Sequence, residues 1–177
     1  MSGKTIILKG DKISLQSVRD ENITDEYVSW LNDCEVVRFS NQRFVQHSTE
    51  SCLDYVQSFM GTDNFFLSVK ENKSGRIIGS ITAYVNLHHS TADMGLMIGD
   101  RSVWGKGYGL EAWLLLMDYL YSAITIRKIT GGTLRDNIGM IKIMERSGMQ
   151  LEATRNEQEV VEGIAVDVLH FAKFSDV

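Results

Sequence analysis

Apolar residues recur at two periods along this chain, and the switches between them outline its elements. Ile6 to Gln16 alternates in the manner of a strand, with a bulge or turn at Lys9-Gly10-Asp11. Ile23, Tyr27, Trp30, Leu31 and Cys34 then fall at helical spacing and predict a helix over about 22–34, with Asn22 and Asp25 placed as a capping box. A second helix is predicted from Thr49 to Met60, striped by Leu53, Val56 and Met60. The β-rich runs Phe65–Lys70 and Arg76–Leu87 flank Asn72-Lys73-Ser74-Gly75 and read as a hairpin. A strand over Ala92–Ile98 leads to a glycine-rich turn and a helix from Leu110 to Ile124. Polar Glu111, Asp118 and Ser122 occupy only a narrow stripe of that helix, which predicts that it is largely buried. A strand over Lys128–Leu134 follows, then a helix over Asn137–Ser147 stopped by Gly148. The last elements are a hairpin of Met149–Glu159 and Ile164–Phe174 around Glu162-Gly163. This alternation predicts a mixed α/β sheet with helices on its faces.

Composition narrows the class. The chain has 177 residues, enough for one domain over 1–177 with a substantial core, and 44% of them are hydrophobic. A formal net charge of −5 argues against a nucleic-acid partner. No apolar run approaches the ~18 residues of a membrane span, and the polar N-terminus lacks a signal-peptide pattern. Cys34 and Cys52 fall in helix-like stretches and match no metal spacing, so they read as reduced thiols with no metal site. Together these features predict a cytoplasmic location.

The chemistry concentrates in Trp104-Gly105-Lys106-Gly107-Tyr108-Gly109-Leu110-Glu111-Ala112. A glycine-rich turn entering a helix presents unpaired N–H groups at the positive end of the helix dipole, which suits an anion such as a phosphate. Gly107-x-Gly109-x-x-Ala112 formally matches a dinucleotide fingerprint. That motif follows a tight apolar strand and carries an acidic residue about 20 positions on. Here the flank is Gly99-Asp100-Arg101-Ser102-Val103, and Arg127 and Lys128 stand at that distance. A nucleotide P-loop fails as well, because Gly105-Lys106 is followed by Gly107 rather than Ser or Thr.

The element order, the glycine turn and the segment Asn137-Ile138-Gly139-Met140-Ile141-Lys142-Ile143-Met144-Glu145-Arg146-Ser147-Gly148-Met149 together resemble a GNAT N-acetyltransferase. Within that superfamily the chain is most similar to the branch of the ribosomal-protein N-terminal alanine acetyltransferases. Trp30-Leu31-Asn32-Asp33 and Asp167-Val168 add to that likeness. The resemblance covers nearly the whole chain. It implies a single-domain, mostly antiparallel twisted sheet with helices on both faces, and acetyl-CoA as co-substrate. The strand Ala92–Ile98 would splay from the strand Lys128–Leu134, with pantetheine pairing to the backbone of Met97 and Ile98. The backbone from Trp104 through Gly105, Lys106, Gly107, Tyr108 and Gly109 would hold the pyrophosphate, and Lys106 would add charge. Asn137 matches the family asparagine that reaches the cofactor, and it also suits a helix N-cap.

The familiar acid and base are absent. A tyrosine on the last helix of many relatives is Met144 here, and a glutamate found five residues before the asparagine is Gly132. Asp93 occupies a strand position where related sequences carry an acid, and it is the candidate for taking the amine proton through a water. His88 and His89 lie on a loop near the expected acceptor side. By resemblance the acceptor pocket is lined by Trp30, Asn32, Asp33, Arg38, Arg43 and Phe44. Arg38 and Arg43, beside Phe39 and Phe44, would suit an anionic acceptor such as a nucleotide-linked amino sugar, whereas Asn32 and Asp33 suit a peptide N-terminus equally well. The implied partner is thus a small-molecule amine or a peptide N-terminus, and assembly as a homodimer stays open. The alternative function is a non-catalytic acyl-CoA sensor, suggested by Met144 and Gly132.

Overall fold

The computed structural model describes residues 5–175. One sheet of eight strands organises it: β1 (Ile7–Lys9), β2 (Ile13–Ser17), β3 (Phe65–Glu71), β4 (Ile77–Asn86), β5 (Thr91–Ile98), β6 (Lys128–Leu134), β7 (Gln150–Val161) and β8 (Ile164–Phe174). Their order is β1-β2-β3-β4-β5-β6-β8-β7, and every neighbouring pair is antiparallel except β5 with β6. The α-helices are α1 (Asp25–Leu31), α2 (Thr49–Gln57), α3 (Tyr108–Ser122) and α4 (Ile138–Arg146).

Successive residues of a strand face opposite sides of a sheet, and β3 shows the consequence. Phe65, Leu67 and Val69 enter a large core with Trp113 and Leu116 of α3 and Met144 of α4. Phe66 enters a smaller core with Tyr27 and Trp30 of α1 and Cys52 and Val56 of α2. Helices therefore cover both faces, as the pattern predicts. Trp113, Leu116 and Leu120 of α3 are fully buried, whereas Asp118 and Ser122 are exposed, in accord with its narrow polar stripe.

Local hydrogen bonding corrects several boundaries. The N-terminal run is two short strands, β1 and β2, folded back about the turn at Gly10. The Asn22–Asp25 capping box does not form. Asn22 sits in a 3₁₀ turn and its Oδ1 accepts from the Arg19 N–H at 2.8 Å. Thr24, in extended backbone, caps α1 instead, its hydroxyl accepting from Tyr27 N–H at 3.2 Å. Helix α1 ends at Leu31, leaving Cys34 exposed in the turn beyond, and α2 ends at Gln57, short of Met60. In the last hairpin the β7–β8 register shifts twice. Glu157, at φ 48°, lies within the second shift, where its N–H donates to the Asp167 carboxylate at 2.9 Å. That bond and the Arg135 guanidinium hold the Asp167 carboxyl below its usual range.

The one parallel junction positions the site. β5 and β6 pair at Thr91 with Lys128, Ala92 with Ile129 and Asp93 with Thr130; beyond these the two strands part.

Candidate active site

A cleft of about 990 Å³ occupies the gap between the diverging strands. It passes through the sheet. Met94, Leu96 and Ile98 border it from the face packed on α3 and α4. Gly95 and Met97 of β5, with Thr82 and Ser80 paired beside them on β4, border it from the face of α1 and α2. A linear ligand could thus enter on one face and present its end to the other.

The glycine turn forms the first of these mouths. Gly105 and Gly107 have φ of 75° and 87°, in the left-handed region where a β-carbon is strained. Gly107 is the N-cap of α3 and supplies no side-chain cap. The first intrahelical bond runs from Glu111 N–H to the Gly107 carbonyl at 3.1 Å, so the N–H groups of Tyr108, Gly109 and Leu110 precede it. Gly109 serves a different need. A β-carbon there would lie 3.0 Å from Ile143 Cδ1 and 3.3 Å from Leu96 Cδ2, so glycine lets α3 close against α4 and β5.

Side chains around the turn fix its shape. Trp104 Nε1–H donates to the Ile98 carbonyl at 2.8 Å, which occupies a backbone acceptor that the resemblance offers to pantetheine. Tyr108 O–H donates to Glu71 at 2.5 Å, so its hydroxyl bonds the sheet. Hydrogen bonds from Ser74 and from Tyr108 lower the Glu71 pKa. Lys106 is exposed. The Lys12 ammonium, from the β1–β2 turn, reaches the Lys106 carbonyl at 3.4 Å and brings a second cation to the site. Nothing in the local sequence marks Lys12, because the carbonyl that its ammonium reaches is 94 residues away. On α4, Lys142 and Arg146 lie one turn apart and border the same cleft.

Glu111 couples this turn to the first hairpin. Its Oε1 accepts from the N–H groups of Lys12 at 2.7 Å and Ile13 at 3.3 Å. Glu111→Ala should therefore destabilise the fold by roughly 1.5 kcal/mol and lower Tm by about 3–6 °C. Thermal unfolding checks this; an unchanged Tm would make the tether incidental.

Asn137 borders the cleft and caps α4, its Oδ1 accepting from Met140 N–H at 3.3 Å. Both cofactor reach and capping were open to it; the cap forms. Met144 is fully buried, and a β-carbon at Gly131 would lie 3.3 Å from its sulfur, so this position carries no acid. Gly132 borders the cleft without a side chain. The His170 imidazole, opposite it on β8, fills the adjacent space, since a β-carbon at Gly132 would lie 3.3 Å from His170 Nδ1. His170 Nε2 is buried with no hydrogen-bond partner among the described residues. Asp93 stands at the vertex of the strand divergence, where its Oδ1 accepts from Thr130 O–H at 2.6 Å. One edge of Asp93 is exposed, yet the protein packed about its carboxyl raises the pKa, against the Thr130 hydrogen bond and the His170 charge. Asp93 is not among the residues lining the cleft, so a proton would reach it through water.

The expected acceptor residues divide. Trp30 is buried against Gly99 and belongs to the smaller core. The Asn32 side chain is committed to the backbone of His47, donating to its carbonyl at 2.9 Å and accepting from its N–H at 2.8 Å. Asp33 pairs with Arg101 at 3.5 Å and accepts from Glu35 N–H. None of these three lines the cleft; they hold the loop above it. Arg43 pairs with Glu159 at 3.3 Å and stacks on exposed Phe44 at 4.3 Å, while Arg38 lines the cleft but pairs with Glu162 at 3.5 Å. The arginines expected to meet an anionic acceptor instead join the 36–47 loop to the last hairpin. Sequence spacing cannot show this, because Arg43 and Glu159 are 116 residues apart. His88 and His89 sit in the β4–β5 turn, outside the cleft lining. Cleft-lining residues missed in the sequence are Tyr27, whose place on the first helical stripe reads equally as core, and Cys52 and Tyr55 of α2. Among the described residues no cluster of His, Cys, Asp or Glu is placed to hold a metal, and no helix is long and apolar enough to cross a membrane.

The family model described as an acetyltransferase (GNAT) domain matches residues 12–150. The probable N-acetyltransferase YjcK of Bacillus subtilis is 19% identical over 169 residues, covering 94% of this chain and 92% of that protein. The solved structure of RimL, a ribosomal L7/L12 α-N-protein acetyltransferase in complex with coenzyme A, is similar with a TM-score of 0.84 at 15% identity. It covers 97% of this chain and 99% of its own. The microcin C7 self-immunity acetyltransferase MccE, solved with acetyl-CoA and AMP, is similar with a TM-score of 0.79 at 17% identity over 94% of each chain. The match of this family model over most of the chain establishes that it belongs to the GNAT acetyltransferase family and is an N-acetyltransferase.

Proposed function

We propose that this protein transfers an acetyl group from acetyl-CoA to a primary amine of a small molecule or a peptide N-terminus. The observation that carries this reading is the through-sheet cleft, which joins the uncapped start of α3 to the face of α1 and α2. The residues fit the co-substrate. The free N–H groups at the start of α3 suit its pyrophosphate, and Lys12, Lys106, Lys142 and Arg146 suit a polyanion. The unpaired edge of β5 around Met97 suits the amide-bearing pantetheine arm. Asn137 supports the same mouth by fixing the start of α4.

Bound there, acetyl-CoA supplies an acyl carbon already activated as a thioester. The protein's share is to hold a neutral amine against that carbon, which converts a bimolecular encounter into an oriented one. Asp93, with Thr130 fixing one carboxylate oxygen, accepts the proton released by the amine through an intervening water.

Acetyl-CoA titration by calorimetry, followed by thiol release with an amine panel, tests this function. Saturable binding and amine-dependent thiol release are expected. The non-catalytic acyl-CoA sensor remains the second reading, favoured by the burial of Met144 and the bare Gly132. Binding without thiol release from any amine would select it.

A further inference from the structure

The acceptor end of the cleft has little charge of its own. Its inner wall is Tyr27 of α1, Cys52 and Tyr55 of α2, Phe66 of β3, and Ser80 and Thr82 of β4. Burial pushes the Tyr27 phenol up to about 12, although a hydrogen bond with Ser80 acts the other way. Burial also raises the Tyr55 phenol, which shares a 2.6 Å hydrogen bond with Tyr84. Both phenols are therefore neutral hydroxyls at neutral pH. The Thr82 hydroxyl sits near the Gly95 carbonyl at 3.5 Å. Above this wall the 36–47 loop contributes the apolar side chains of Val36, Val37 and Val45.

Among the described residues lining this end two side chains are formally charged, Glu35 just before the 36–47 loop and Arg38 within it, and both are exposed. Arg38 is already matched by Glu162. Glu35 forms no ion pair among the described residues and leaves one negative charge at the rim.

We infer that the acceptor is a small monoamine with an uncharged aromatic body, an arylalkylamine, whose ring packs in the cleft against the wall formed by Tyr27, Tyr55 and Phe66 and whose ammonium is first drawn to Glu35. This rests on the acetyl-transfer reading above and deepens it. A nucleotide-linked amino sugar would bring phosphates to an inner wall that holds no cation, and a polyamine would bring ammonium groups beyond the rim carboxylate of Glu35 and the water-linked Asp93. Each such charge would lose its water without gaining a partner. A ring loses nothing comparable, and aromatic neighbours receive it edge-on or offset. In the transfer the amine nitrogen bonds to the acetyl carbon as the carbon–sulfur bond breaks. The ammonium first loses one proton to solvent to become the neutral nucleophile, the attacking amine gives up a second to the Asp93 route, and the CoA sulfur leaves as the thiolate and takes one from solvent.

The test uses the full chain with acetyl-CoA and four acceptors: 2-phenylethylamine, spermidine, a nucleotide-linked amino sugar and a short peptide with a free N-terminus. Thiol release should give a kcat/KM for 2-phenylethylamine at least tenfold above the other three. Two variants probe placement. Ser80→Asp puts a charge on the inner wall, and Glu35→Gln removes one from the exposed rim without disturbing the core. Both should raise KM for 2-phenylethylamine several-fold while leaving KM for acetyl-CoA within twofold. Preference for any of the other acceptors would overturn the inference and leave acetyl transfer standing. Unchanged KM in both variants would also overturn it. Acetyl-CoA binding with no thiol release from any amine would overturn the underlying reading as well.

Discussion

Asparagine in place of Asp93 should lower kcat by roughly 100-fold or more while leaving acetyl-CoA affinity unchanged. Asp93 is the last β5 residue paired with β6, so the divergence of the strands begins at its side chain. Thr130 fixes one oxygen, and burial makes the carboxylate a better proton acceptor than an ordinary aspartate. The pH profile carries the sign. The carboxylate is active only when ionised, so kcat should fall as pH drops through the raised pKa, and this acid limb should vanish in Asp93→Asn. Stability runs the other way. A carboxyl whose pKa is raised by folding adds stability at low pH, and loses it as pH rises through the folded value. Asp93→Asn should consequently be no less stable than the parent at neutral pH, which separates lost catalysis from lost structure. A kcat within a few-fold of the parent would mean that the amine arrives neutral from solution, and the rate would then track the acceptor's own pKa. His170 shares this environment, its charge favouring the ionised form of Asp93.

Much of this architecture is legible in the sequence because it rests on local signals. The strand Lys128–Leu134 is observed with the predicted bounds, since turn chemistry and alternation agree there. The glycine turn and the Asn137 cap are equally local. What the sequence withholds is contact across the fold. Arg38 and Arg43 look like free cations beside aromatic rings, and only the returning hairpin shows that Glu162 and Glu159 neutralise them. Asn32 looks like a peptide contact until His47 closes on both of its side-chain groups. Conversely, Tyr27 sits on a stripe that predicts core and Cys52 reads as a helix thiol, and both are buried, yet the same side chains border the cleft. A pocket carved into a core leaves no separate mark on hydrophobic periodicity. His170 reaches its site through strand pairing, which places residues by register rather than by neighbourhood, and Lys12 reaches its site from a turn whose backbone N–H bonds Glu111.

Leucine at Gly107 and leucine at Gly109 should fail for different reasons, although both residues sit in one short turn. At Gly107 the backbone is left-handed, and a side chain there costs about 1–2 kcal/mol. Its β-carbon would find only the Lys12 ammonium, at 3.6 Å, so the fold should tolerate it with a Tm loss of a few degrees. The side chain would nonetheless stand at the N-cap of α3, beside the N–H groups proposed to hold pyrophosphate. Acetyl-CoA Kd should therefore rise at least tenfold, about 1.4 kcal/mol. Gly109 is already helical, and its β-carbon would press on Ile143 and Leu96. Overpacking of this kind costs about 1–3 kcal/mol and forces α3 away from α4 and β5. Gly109→Leu should lower Tm more than Gly107→Leu and lose affinity only alongside that structural damage. Calorimetry on both variants, paired with their unfolding curves, separates the two. If folded Gly107→Leu binds acetyl-CoA as tightly as the parent, the start of α3 does not hold the phosphates, and the anion must sit on the lysines instead.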